Sequence, residues 1–206
     1  VFGRGSDGRL VKRARLPADS AAANGLAVHD SELALADRLG TVSLWTVPAT
    51  GELELRWRRD VGGRVTSIGW AGGPLVLVAT WEGRLTALAV EDGAPKWSVD
   101  IGGRAEAPAV VDDRSVYIAT KTRTLFRVDA RTGAVRWRAE LPGLVLHRPA
   151  LVKETASGVV EGAAPEQTRQ VVVGSWDGQL VAYEALNGRL SWSTSLGERP
   201  TSCLLY

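Results

Sequence analysis

The chain is poor in residues that do covalent or metal chemistry. It has two histidines, His29 and His147, and one cysteine, Cys203, in 206 residues. The histidines fall in different stretches, with no Cys/His cluster at metal-ligand spacing. Cys203 lies inside an apolar run, where a thiol is inert. Asp112-Asp113 would need further oxygen ligands to hold a cation. The expected catalytic and metal sets are therefore empty, and no cofactor is expected. What remains is non-covalent chemistry. Arg38, Trp81, Lys121 and Trp176 each stand just after a short apolar run, at the same place in four successive stretches. Exposed cationic and aromatic side chains together favour contact with a protein partner or a planar ligand. The competing reading folds both indoles back as packing.

Those four positions have meaning only if the stretches are copies of one unit, and they are. A glycine followed four residues on by tryptophan occurs at Gly93/Trp97, Gly133/Trp137 and Gly188/Trp192, with a looser copy at Gly51/Trp57. The tryptophans recur about 40 residues apart, and the last interval is about 15 longer, accounted for by a polar insertion at 154–169. Each unit divides into four short β-type runs separated by glycine turns. In one unit they are Val65 to Trp70, Leu75 to Thr80, Arg84 to Val90 and Lys96 to Ile101. Four short strands in a repeat of roughly 40–45 residues mark a β-propeller blade. The second run is almost wholly apolar in every unit, for example Val116-Tyr117-Ile118-Ala119 and Val171-Val172-Val173. Such a strand is buried on both faces, as a blade between two neighbours requires. With strands labelled A to D in chain order, Arg38, Trp81, Lys121 and Trp176 fall at B–C turns, which share one face of a propeller. Trp57, Trp97, Trp137 and Trp192 fall on D strands as inter-blade glue, and Gly93, Gly133 and Gly188 allow a turn with positive φ.

The units resemble the pyrroloquinoline-quinone-type propeller repeat and its tryptophan docking motif. Asp129, Thr132, Gly133 and Trp137 carry the motif in one unit; Ala182, Glu184, Asn187, Gly188 and Trp192 carry it in another; Ala87, Gly93 and Trp97 are a thinner match. Gly174 to Leu180 and Arg148-Pro149-Ala150-Leu151 also resemble strands of that repeat, whereas Leu39 to Val47 looks more like a WD-repeat strand. The resemblance extends to the outer-membrane lipoprotein of the bacterial barrel-assembly machinery, and it implies a cell-envelope or periplasmic setting. It does not imply quinone binding: the adjacent cysteines and calcium-ligating acids of the quinoprotein dehydrogenases have no counterpart segment in this sequence.

One domain over 1–206 is expected, with blades at about 18–60, 61–101, 102–141 and 142–196 and partial units at 1–17 and 197–206. That order, C–D, four complete blades, then A, predicts part of a propeller of seven or eight blades; a closed five-blade ring would lack a B strand. The net charge of +2 is too small to argue for nucleic acid. Apolar runs are strand-length, so no membrane insertion is expected within the segment. Lys12-Arg13-Ala14-Arg15 reads as a solvated edge strand whose charges discourage pairing. The function expected is a non-catalytic scaffold with protein partners. A ligand-sensing domain attached to an effector, and a fragment of a quinone-dependent dehydrogenase, are the alternatives.

Overall fold

A computed structural model describes residues 2–4, 10–12, 23–48, 52–112, 114–153 and 169–197. The insertion up to residue 168, Asp113, Arg13, Arg15, Cys203 and the expected last A strand lie outside these residues. All regular structure among the described residues is β. A hairpin of β1 (Phe2–Arg4) and β2 (Leu10–Lys12) precedes four sheets of four strands. The first blade holds β3 (Ala23–His29), β4 (Glu32–Asp37), β5 (Thr41–Thr46) and β6 (Glu54–Asp60). The second holds β7 (Val65–Ala71), β8 (Leu75–Thr80), β9 (Arg84–Ala89) and β10 (Pro95–Asp100). The third holds β11 (Val110–Val111), β12 (Ser115–Thr120), β13 (Thr124–Asp129) and β14 (Val135–Glu140). The fourth holds β15 (Ala150–Lys153), β16 (Arg169–Gly174), β17 (Gln179–Glu184) and β18 (Leu190–Ser195). Each four-stranded sheet is an antiparallel meander in chain order, so each is a propeller blade.

Burial follows strand position. All six residues of β12 are buried, and β4 and β8 are nearly so. Three apolar clusters join blade to blade. One packs Val42, Leu44 and Trp57 against Val65, Ile68 and Val78; the next packs Leu77, Leu85 and Trp97 against Val116 and Ile118; the third packs Tyr117, Leu125 and Leu141 against Val171 and Tyr183. Full burial of one such aliphatic side chain stabilises by about 1.5–3 kcal/mol, so the blades hold one another chiefly through their middle strands. The A strands of blades 3 and 4 are short. Pro108 and Pro149 stand just before them, and proline offers no N–H to the ladder.

The D strand of each four-stranded blade carries a β-bulge at its tryptophan. The C–D register skips the residue just before Trp57, Trp97, Trp137 and Trp192, namely Arg56, Lys96, Arg136 and Ser191. A bulge adds local twist and re-aims the next side chain. Three of the indoles are thereby delivered to the following blade. Trp57 Nε1 donates to the Val90 carbonyl at 2.8 Å, Trp97 Nε1 to Ala130 at 2.9 Å and Trp137 Nε1 to Ala185 at 3.0 Å. Each ring lies on the glycine of that blade's C–D turn. A Cβ on Gly93, Gly133 or Gly188 would come within 2.7–2.8 Å of the ring of Trp57, Trp97 or Trp137, and all three glycines have φ between 71° and 75°. The glycine of one unit thus receives the tryptophan of the unit before it. Trp192 is 39% exposed, and its Nε1 donates to Gln170 Oε1 of its own blade at 2.9 Å.

Candidate functional site

The four B–C turns share one hydrogen-bonding plan. The third turn residue has positive φ in each: Gly40 at 100°, Gly83 at 85°, Arg123 at 58° and Gly178 at 85°. Its carbonyl accepts from the backbone just after the D strand, from Val61, Ile101, Leu141 and Leu196 respectively. In blades 2 to 4 the first turn residue is pinned as well. Trp81, Lys121 and Trp176 donate their backbone N–H to the carbonyls of Arg64, Arg104 and Leu144 at 2.7, 2.9 and 2.7 Å. These acceptors belong to the linker that enters the same blade. The turns therefore present their first side chains equivalently.

Arg38 follows β4 directly and is exposed, beside Leu39. Trp81 follows β8 and is 46% exposed; Lys121 follows β12 and is half-buried. Trp176, also 46% exposed, is the second residue after β16, because Ser175 intervenes. Ser175 is the counterpart of Thr80 and Thr120: its N–H donates to the Gln179 carbonyl, its carbonyl accepts from Gly178, and its hydroxyl is engaged with Asp177, so the turn proper begins at Trp176.

Two of the four are brought together by residues the repeat pattern did not single out. The Arg104 guanidinium lies 3.8 Å from the Trp81 ring centroid, and that of Arg64 lies 4.8 Å from it. Both distances are within cation–π range. Arg104 Nε pairs with Glu106 Oε1 at 2.7 Å, and Lys121 Nζ pairs with the same oxygen at 2.9 Å. Trp81 and Lys121 are thus linked across the blade boundary through Arg104 and Glu106. Arg38 and Trp176 occupy the matching turns of the flanking blades. A signal for the arginines was available: Gly62-Gly63-Arg64 and Gly102-Gly103-Arg104 are the same linker phrase, one unit apart. Close packing explains their glycines. A Cβ on Gly63 would meet the Glu82 carboxylate at 2.5 Å, and one on Gly103 would meet the Thr122 side chain at 2.7 Å. Glu82 is held below the ordinary carboxylate range by hydrogen bonds from its own backbone and from Thr80, with Arg64 nearby.

Asp112 and His29 are committed to structure. Asp112 accepts from the backbone of Arg114 and Ser115 and pairs with Arg169 at 3.3 Å. His29 lies 3.4 Å from Asp30 and against the Trp70 ring. Among the described residues, no three of His, Cys, Asp and Glu gather as a metal site. A cleft of about 640 Å³ opens beside the C–D turn of blade 2, over Leu75 and Val90, with Arg56, Lys96 and Arg131 at its margin. No helix is long and apolar enough to cross a membrane among the described residues.

A family model for the outer membrane protein assembly factor BamB matches residues 82–204. The chain belongs to this family of PQQ-like repeat proteins. The matched span includes the turns of Lys121 and Trp176 and begins one residue after Trp81. The crystal structure of BamB from Moraxella catarrhalis is similar, with 23% identity and a TM-score of 0.64, over 82% of this chain and 47% of that one. The computationally designed Ika8 protein gives 17% identity and a TM-score of 0.71 over 97% of this chain and 57% of its own. The designed Ika4 protein gives 16% and 0.66 over 84% and 98%. The chain therefore spans about half the length of the BamB structure it matches. No curated protein matches the chain.

Proposed function

We propose that this member of the BamB family is a non-catalytic scaffold that holds a protein partner on its B–C face, with blades 2 and 3 as the contact. The observation that carries the reading is Trp81. A large aromatic is left 46% exposed while two guanidinium groups fix its ring. Interface hot spots are enriched in tryptophan and arginine, and a ring held in place loses little entropy on binding. The family's description as an outer membrane protein assembly factor supports a protein partner, a setting in the cell envelope and a role without chemistry. Blades 1 and 4 would extend the contact through Arg38 and Trp176. One domain with blades at about 18–60, 61–101, 102–141 and 142–196 is the proposed organisation.

The test is affinity capture with the full-length protein from its own cells, comparing wild type with the double variant Trp81→Ala/Arg104→Ala. The proposal expects the variant to keep its melting temperature within a few degrees and to lose the captured partner. Full capture by a folded variant would refute the B–C face as the contact.

A further inference from the structure

Arg123 holds a left-handed backbone conformation, with φ of 58°, at a turn position where glycine is the easier residue. The third residue of a B–C turn must adopt positive φ, and the other three blades place glycine there. The blade 3 turn keeps the same geometry. Arg123 N donates to the Thr120 carbonyl at 3.0 Å, as Gly83 N does to Thr80 at 3.1 Å; the Arg123 carbonyl accepts from Leu141 at 2.8 Å, as that of Gly83 does from Ile101. A non-glycine residue in this region is disfavoured because its Cβ crowds the backbone. The Arg123 side chain is exposed and, among the described residues, makes no ion pair or hydrogen bond that would offset that strain.

The surroundings say what such a side chain is for. Around the Trp81 ring, the B–C turns and linkers of blades 2 and 3 carry Arg64, Arg104, Lys121 and Arg123 with the carboxylates Glu82 and Glu106, while Asp100 and Glu140 end the D strands beside those turns. Part of this acidic capacity is already used. One oxygen of Glu106 takes both Arg104 and Lys121, and Asp100 accepts from the Gly102 N–H. A guanidinium has five donors, so the cations keep unspent capacity around the half-exposed Trp81 ring.

We infer that this patch recognises an acidic segment of the partner protein, and that Arg123 is a binding residue kept at the expense of local strain. The inference rests on the B–C face being the contact and adds the chemistry of what it contacts. Rim charges of this kind act mostly on association rate and salt dependence.

The assay is fluorescence anisotropy of a labelled octaglutamate peptide with the full-length protein at low salt, beside octalysine and vesicles containing anionic lipid. Octaglutamate binds, octalysine does not, and affinity falls steeply with salt. Arg123→Gly moves two readouts in opposite senses: the melting temperature rises by ~2 °C, and octaglutamate binding weakens roughly 3- to 10-fold. Lys96→Ala, on the cleft margin away from these turns, leaves binding unchanged. Equal binding by Arg123→Gly and wild type overturns the inference, as does no octaglutamate binding at all, an equal loss in Lys96→Ala, or tighter binding to the vesicles. If octaglutamate fails to bind while Trp81→Ala/Arg104→Ala still loses its captured partner, acid recognition falls and the docking face stands. If capture survives that double change, the docking face itself falls.

Discussion

Trp97 and Trp81 belong to the same blade, and the fold uses them in opposite ways. Trp97 is 8% exposed; its indole N–H is spent on the Ala130 carbonyl and its ring rests on Gly133. Trp81 is 46% exposed, and what lies over its ring is charge. The difference is made by the receiver, since the residue type is the same. A D-strand indole reaches a glycine whose missing side chain makes room for a ring and whose blade offers a free carbonyl. The Trp81 indole instead lies beneath two guanidinium groups, of exposed Arg64 and half-buried Arg104. The seam between blades is where aromatic surface becomes stability; the B–C face is where it stays available for recognition.

The comparison breaks most visibly at the seam. Trp97→Ala removes a buried ring that nothing can replace, and it is expected to cost ~3–5 kcal/mol, read as a fall in melting temperature on the order of 10 °C for the intact protein. A loss within experimental error would show that the seam tolerates an empty socket. Filling the socket from the other side should hurt too. Gly133→Ala places a methyl against the Trp97 ring in a backbone region unfavourable to it, and a urea melt should show a loss of ~2–3 kcal/mol. The same change at Gly62, which has no neighbour within 4 Å of its Cβ position, should cost less, since it lacks the packing clash.

A smaller effect concerns the turn that shapes one socket. Asp129 accepts from the Thr132 hydroxyl and from the backbone of Arg131 and Thr132, and it pairs with Arg136 at 2.7 Å. The Arg136 hydrogen bond, with those from Thr132 and Arg131, holds its carboxyl well below the ordinary 3.8. A depressed carboxyl stabilises the fold fully above its unfolded pKa, and that contribution fades as pH falls through 3.8 toward the folded value. Urea melts at pH 7 and pH 3 should therefore show an acid-induced loss that is reduced in Asp129→Asn; an identical loss in both proteins would remove Asp129 from the account. The smallest stability effect is expected on the face: Trp81→Ala should change unfolding free energy by no more than ~1 kcal/mol while abolishing partner capture. A large destabilisation would move Trp81 to the packing class.

Much of the fold is legible in the sequence because propeller blades are local and periodic. Leu75 to Thr80 and Val116 to Ala119 read as buried B strands, and all but the half-buried Leu75 are buried. The pairing of Gly133 with Trp97 was hidden, although both residues carry the motif, because the contact joins neighbouring units while the phrase Gly133/Trp137 suggests a contact within one. The bulge before each tryptophan was hidden because it is a property of register, which composition does not show. At the candidate site, Trp81 and Lys121 stand out by position in the repeat. Arg104 and Glu106, which join them, sit in a linker without strand periodicity and become visible only when two blades are placed side by side. Arg123 is legible in hindsight as the one third-turn residue of the four that is not glycine.

The most direct test puts a photo-reactive phenylalanine analogue at Glu82, at Thr122 or at Lys96 of the full-length protein in its own cells. Glu82 and Thr122 lie in the B–C turns of blades 2 and 3; Lys96 lies on the D strand beside the other cleft. The account predicts the same discrete protein adduct from positions 82 and 122 and none from 96. An adduct from position 96 alone, or none from either turn, would contradict it.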